Sequence, residues 1–278
     1  MGEGTPKFEA SAAAQPASVS LWDQMPVASA PTVQGATIEA PPAQPAPVQS
    51  QPRYLNRELS QLDFDDRVLA MAEDESLPLL ERVRFLAILG ENVDQFFQVR
   101  VAGLKEQVHA ALPQTSPDGM TTGEQLRAIH QRSGALLQRS TDLFTRHIAP
   151  ALEQQGVSIA SVADLDETAH DFLLAEFRAR IFPVLTPLAV DPAHPFPYIS
   201  HLSLNLAVMV RDPVRHQMRF ARVKVPPLLP RFIALPDGKR FIPLEQVIAL
   251  YVSELFPGME IVSQHPFRVT RDADLDLV

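Results

Sequence analysis

The 278-residue chain has no cysteine, so disulfides and thiolate metal sites are excluded, and a reducing compartment fits. Basic residues are outnumbered, 24 Lys and Arg against 33 Asp and Glu, for a formal charge of −9. That balance argues against nonspecific binding to nucleic acid or to an anionic membrane. A polyanionic ligand would need a local basic groove. No apolar run approaches the roughly 20 residues of a membrane span. The amino terminus lacks a basic segment followed by an apolar core, so it does not read as a secretory signal. Tryptophan occurs once. What is present in quantity is hydrophobic residue, 46%, enough for a buried core and for one or two domains. A cytoplasmic protein without a transmembrane segment is expected.

Residues 1–52 are rich in Ala, Pro, Gln, Ser and Val, with few charges and no sustained period. Such a segment cannot bury enough apolar surface to offset its ordering entropy, and a disordered tail is expected. Its one local feature is Ser18-Val-Ser-Leu-Trp22, either a docking motif or an incidental linker residue.

From Tyr54 the pattern changes. Leu59, Leu62, Val68, Leu69 and Ala72 suit a short amphipathic helix, and Asp74-Glu-Ser76 with Pro78 marks its end and the next start. A second helix carries Leu79, Val83, Leu86, Gly90, Val93, Phe97, Val101, Leu104 and Val108 on one stripe. Phe85, Leu89, Asn92, Phe96 and Val99 lie beside it. Thr121 or Thr122 caps a third long helix that ends at Gly156. Long helices on short loops predict an antiparallel bundle over residues 53–156.

Residues 157–278 read as mixed. Asp166 to Phe182 is a helix, with turn chemistry at Pro183 and Pro187. Leu204 to Val210 and Met218 to Val225 form an antiparallel hairpin about Asp212-Pro213. Phe232 to Leu235 and Phe241-Ile242 flank the turn Asp237-Gly238. Leu244 to Phe256 is a helix, and Ile261 to Val269 returns as a strand. The fold class is α+β: a disordered tail, a helical bundle, then a mostly antiparallel sheet with helices on one side.

Asn92 is the leading candidate residue. Among Phe85, Leu89 and Phe96 its amide is withdrawn from water, and a buried amide without partners costs about 1–3 kcal/mol. A backbone carbonyl of a neighbouring helix or a ligand would satisfy it. Asp94 can cap or form a salt bridge within the helical domain, with Arg100 or Arg84. Arg100 and Lys105, a turn or so apart, either line a phosphate path, as a bidentate guanidinium and a point charge, or form a paired, solvated face. His194 and His201, beside prolines, read as structural. The acidic run Arg271-Asp-Ala-Asp274-Leu-Asp276 lacks the glycine and distal glutamate of a calcium loop. There is no HExxH, GxxxxGK[ST], GxSxG or GxGxxG.

Asn92-Val-Asp94-Gln95-Phe96, with Glu58-Leu-Ser60, Arg67-Val-Leu69, HPFPYIS and TRDADLDLV, resembles the type 1 polyphosphate kinases, enzymes that move the terminal phosphate of ATP onto polyphosphate. The resemblance runs from Tyr54 to Val278 and covers that family's amino-terminal helical domain and most of a dimerisation-type middle domain; the catalytic carboxyl-terminal domains would follow. It implies that Asn92 contacts ATP, that Asp94 supports it, and that Arg100 and Lys105 face polyphosphate. It further implies Mg2+ and a phosphohistidine, both held outside these residues, ATP/ADP and polyphosphate as partners, and a homodimer or homotetramer. Gln95, where the family has glutamate, and Gln61, where it has tryptophan, depart from the pattern. The chain by itself is expected to be inactive. The rival expectation is a noncatalytic interaction or assembly module that keeps the bundle.

Overall fold

Asn56 starts the first helix. Its Oδ1 accepts from the backbone N–H groups of Glu58 and Leu59, both at 3.0 Å, which satisfies two donors that a helix start leaves open. A computed structural model describes residues 54–112, 114–190 and 196–272. The expectations for the tail with Trp22, for His194, and for Asp274 and Asp276 lie outside the described residues.

The helical part comprises α1 (Arg57–Glu73), α2 (Leu79–Gln95), α3 (Ala102–His109), α4 (Thr122–Leu143) and α5 (Ala149–Gln154). Helix α1 packs against both α2 and α4. Thr121 caps α4 in a capping box with Glu124. Leu69, Ala72, Leu89, Val93, Leu136 and Ile148 close one apolar cluster. Leu62, Phe96, Val101, Leu104, Leu126 and Ile129 close a second.

The expected single second helix is interrupted by a π segment, Phe96–Val101. Its buried positions run Leu89, Val93, Phe96, Val101 and Leu104, so the step across the π segment is five residues, where the sequence reading took the four from Phe97 to Val101. Gly90, Val99 and Val108 are exposed. A π turn shifts the helical phase, and unbroken steps of three and four overran it. The third long helix has the same feature at Phe144–Ile148, and the helix after it at Phe177–Ile181.

The sheet-bearing part contains β1 (Ser158–Ile159), α6 (Glu167–Glu176), β2 (Pro187–Val190), β3 (Leu204–Arg211), β4 (Met218–Lys224), β5 (Phe232–Ala234), β6 (Arg240–Pro243), α7 (Leu244–Leu250) and β7 (Glu260–Arg268). The larger sheet, ordered β2-β4-β3-β7, is antiparallel throughout. The smaller one, β1-β6-β5, pairs β1 with β6 in parallel. Strand β2 corrects the turn expected at Pro187: it lies at the sheet edge and begins with proline, a position that requires no ladder N–H. Leu206, Val208, Val210, Ala221 and Val223 alternate along β3 and β4 on one face, where they bury against α6 and α7 with Leu173, Phe177, Val247 and Ile248. The mixed α+β class, its antiparallel sheets and the helices on one side stand as expected.

Candidate functional site

Helices α1 and α2 meet through a polar pair inside an apolar contact. Asn92 is half-buried, and its Nδ2 donates to Asp65 Oδ1 at 3.1 Å. The partner is therefore a carboxylate, not the backbone carbonyl that sequence reasoning offered. Asp65 is fully buried. Its second oxygen, Oδ2, is buried without a hydrogen-bond partner among the described residues. Burial pushes the Asp65 carboxyl up from the usual range, while the hydrogen bonds from Asn92 and Gln61 hold it partly down. Sequence reasoning missed Asp65. Its signal was an acid four residues before Leu69 and three after Leu62, on the buried stripe of α1.

Asp94 pairs with neither Arg100 nor Arg84. Its carboxylate accepts two hydrogen bonds from Arg268, at the end of β7, at 2.8 and 2.9 Å. The separation of 174 residues put this partner beyond any helical spacing rule. The bidentate fork joins the bundle to the sheet. A cleft of about 460 Å³ lies beside it, lined by Gly90, Glu91, Asp94, Gln98, Leu202 and Arg268. A second, of about 540 Å³, shares Leu202 and Arg268 and reaches His201, Lys224 and Arg231. Leu202 adopts a φ of 53°, rare for a residue with a side chain, and is held there by its N–H bond to Val269 O at 2.9 Å. His201 Nδ1 accepts from the backbone N–H of Arg271 at 3.1 Å, in keeping with a structural histidine.

Asp94→Asn should cost roughly 1 kcal/mol or less, because Arg268 is half exposed and the pair is screened. Denaturation in low and high salt should show the difference shrinking as salt rises. A loss independent of salt would count against a charge-borne joint.

Arg100 lies half-buried in the π segment and makes no ion pair among the described residues. Lys105 is exposed on α3. At about 100° per residue, the two fall on opposite flanks of the buried Val101–Leu104 stripe. The helix therefore does not present them as a single basic face.

Two family profiles match the chain, the polyphosphate kinase N-terminal domain over residues 54–160 and the polyphosphate kinase middle domain over residues 168–278. The chain belongs to the polyphosphate kinase family. It is 49% identical over 258 residues to the polyphosphate kinase of Mycobacterium tuberculosis, covering 86% of this chain and 35% of that protein. Against the polyphosphate kinase of Streptomyces coelicolor it is 53% identical over 227 residues, 82% of this chain and 30% of that protein. The crystal structure of polyphosphate kinase from Porphyromonas gingivalis superposes with a TM-score of 0.71 at 28% identity, over 82% of this chain and 34% of that one. The chain thus spans about a third of the length of the relatives it matches. Among the described residues no helix is long and apolar enough to cross a membrane.

Proposed function

We propose that these residues serve a polyphosphate kinase reaction, the reversible transfer of the terminal phosphate of ATP to polyphosphate through a phosphohistidine located outside this chain. The observation that carries the reading is the match of both profiles, end to end, with relatives named for that activity. Asn92 is the nucleotide contact, and Arg100 and Lys105 meet the polymer singly, from two sides of one helix. Asp94 supports the site by tying α2 to β7. The protein acts as a homodimer or homotetramer in the cytoplasm. Magnesium belongs to such a transfer by neutralising phosphate charge. Among the described residues no three acids or histidines cluster to hold it, so no step is assigned to a metal here.

The geometry favours Asn92 in this role. It stands on a packed helix with its N–H end engaged, so its amide is aimed at little ordering cost. The test uses a chimera in which this chain is followed by the remaining carboxyl-terminal residues of the M. tuberculosis relative. In it, Asn92→Ala should raise the Michaelis constant for ATP about two- to tenfold, the loss of one neutral hydrogen bond, and should also lower Tm, because it strips the buried Asp65 carboxylate of that donor. A fall in Tm with normal ATP kinetics would make Asn92 a core residue only.

A further inference from the structure

The acidic chain does carry a local basic groove. It is the cleft of about 540 Å³ beside the Asp94–Arg268 joint, with Ser203, Lys224, Arg231 and Arg268 in its wall. Arg231 and Arg268 already hold carboxylates, Glu245 and Asp94. Lys224 makes no ion pair among the described residues.

A second cation lies behind Lys224. Arg222, one pleat back on the same face of β4, is only 7% exposed. Among the described residues no carboxylate pairs with it, and its side chain makes one hydrogen bond, from Nε to Asn205 Oδ1 at 2.8 Å. Both terminal amino groups are left without a partner. Arginine stays charged at any ordinary pH, so burying it without an anion is costly.

The bond to Asn205 also shows where those amino groups lie. Across the ladder Arg222 faces Ala207, whereas Asn205 faces Lys224. In reaching Asn205 the side chain leans along the strand toward Lys224 and the cleft. Asn205 in turn donates to Ser203 O at 2.8 Å and to Ser203 Oγ at 3.1 Å, and Ser203 lines the cleft. The terminal nitrogens are not sealed off, for they are absent from the buried side-chain atoms that lack a partner. They sit at the inner end of the cleft, and Lys224 stands about 7 Å further along the strand. Uncompensated cations in line suit an anion that repeats its charge along its length. Linked phosphates do so, and their oxygens accept from a guanidinium fork.

We propose that Arg222 and Lys224 form a binding site for a chain of linked phosphates, the buried guanidinium holding a phosphate at the inner end of the cleft and Lys224 the next along. Inorganic polyphosphate and the triphosphate of a nucleotide share this chemistry. The site uses none of Asn92, Arg100 or Lys105, so it stands or falls apart from the roles given to them.

Calorimetric titration of the chain with tripolyphosphate, and separately with ATP, tests it. Tripolyphosphate should bind, and more weakly as salt rises. Arg222→Gln should weaken it about ten- to hundredfold, the worth of a hydrogen bond to a charged group. Glutamine keeps a nitrogen at the Nε position for Asn205 and removes only the charge and the terminal amino groups. Arg222→Met is the second variant if the glutamine one folds poorly. Lys224→Gln should weaken binding up to about fivefold, and Arg132→Gln, at an exposed pair with Asp63, should change nothing. ATP bound as tightly as tripolyphosphate, and as sensitive to Arg222→Gln, extends the site to nucleotide phosphates; weak ATP binding confines it to the inorganic chain. Either result upholds the proposal. An aspartate tetrapeptide that binds as tightly as tripolyphosphate would overturn it and make the cleft a dock for an acidic protein segment. Absent binding, or binding unchanged in the folded Arg222 variants, would overturn it as well. If affinity falls only in Arg100→Gln and Lys105→Gln, this site is lost while the polymer contacts proposed above stand. The opposite pattern upholds this site and removes those contacts.

Discussion

Phe177→Ala should lower the unfolding free energy by about 3–5 kcal/mol, the usual cost of deleting a buried phenyl ring where the surroundings cannot collapse. Phe177 is fully buried and lies in the π segment after α6. Its ring packs on Tyr251 with centroids 5.3 Å apart, and on Phe182 edge-on at 5.9 Å. Tyr251 is itself fixed, its hydroxyl donating to His170 O at 2.9 Å. Tyr251 therefore cannot swing into the space without giving up that bond. Urea denaturation of the chain should show an earlier midpoint at unchanged slope. A loss below about 1 kcal/mol would mean that the site closes over and that the rings are not a rigid cluster.

The architecture was legible wherever one local rule operated alone. The hairpin of β3 and β4 follows from two strand-length apolar runs about Asp212-Pro213, and the cap of α4 from Thr121 three residues before Glu124. Helix phase was not legible past Phe96, because a π turn leaves no mark in a three-and-four pattern except that the buried set jumps by five. Asn92 could be singled out because an amide among Phe85, Leu89 and Phe96 contradicts its surroundings. Its partner could not be. Asp65 stands 27 residues earlier on another helix, in a run of acids, Asp63, Asp65 and Asp66, that reads as a solvated face. Only packing shows that the middle one is buried while Asp63 and Asp66 pair with Arg132 and Arg139 on α4. The Asp94–Arg268 joint was hidden for the same reason: a contact between the bundle and a distant strand has no sequence period.

Asp65 is a buried residue that runs against stability. Its folded pKa is raised, so its proton is held more tightly in the native state than in the unfolded chain. The stability this contributes is present below the unfolded value, about 3.9, and is lost as pH rises through the folded one. Near neutral pH the group therefore works against the fold. A carboxylate kept at that cost, hydrogen-bonded to Asn92, is a place where the rule of an apolar interior yields.

Asn56→Ala should cost about 2–4 kcal/mol, from two separable sources. The first is the cap: Oδ1 satisfies the N–H groups of Glu58 and Leu59, and removing such a cap costs about 1 kcal/mol. The second is a buried network. Asn56 Nδ2 donates to Gln125 Oε1 at 3.2 Å and reaches Asp118 Oδ1 at 3.3 Å, tying the start of α1 to the first turn of α4 and to the loop before it. Asn56 and Gln125 are both buried, so truncation leaves the Gln125 carbonyl without this donor, at about 1–3 kcal/mol. Asn56→Asp separates the two. It keeps the capping oxygen but offers no donor, and it sets a second carboxylate against Asp118. The aspartate variant should therefore recover only the cap, remaining about 1–3 kcal/mol below the parent at neutral pH and drawing closer to it in acid, where either carboxyl can take up a proton. Chemical denaturation of the three proteins at pH 7 and pH 4 would show the order Asn, Asp, Ala. An aspartate variant as stable as the parent at pH 7 would reduce Asn56 to a helix cap and leave the α1–α4 tie to the apolar contacts alone.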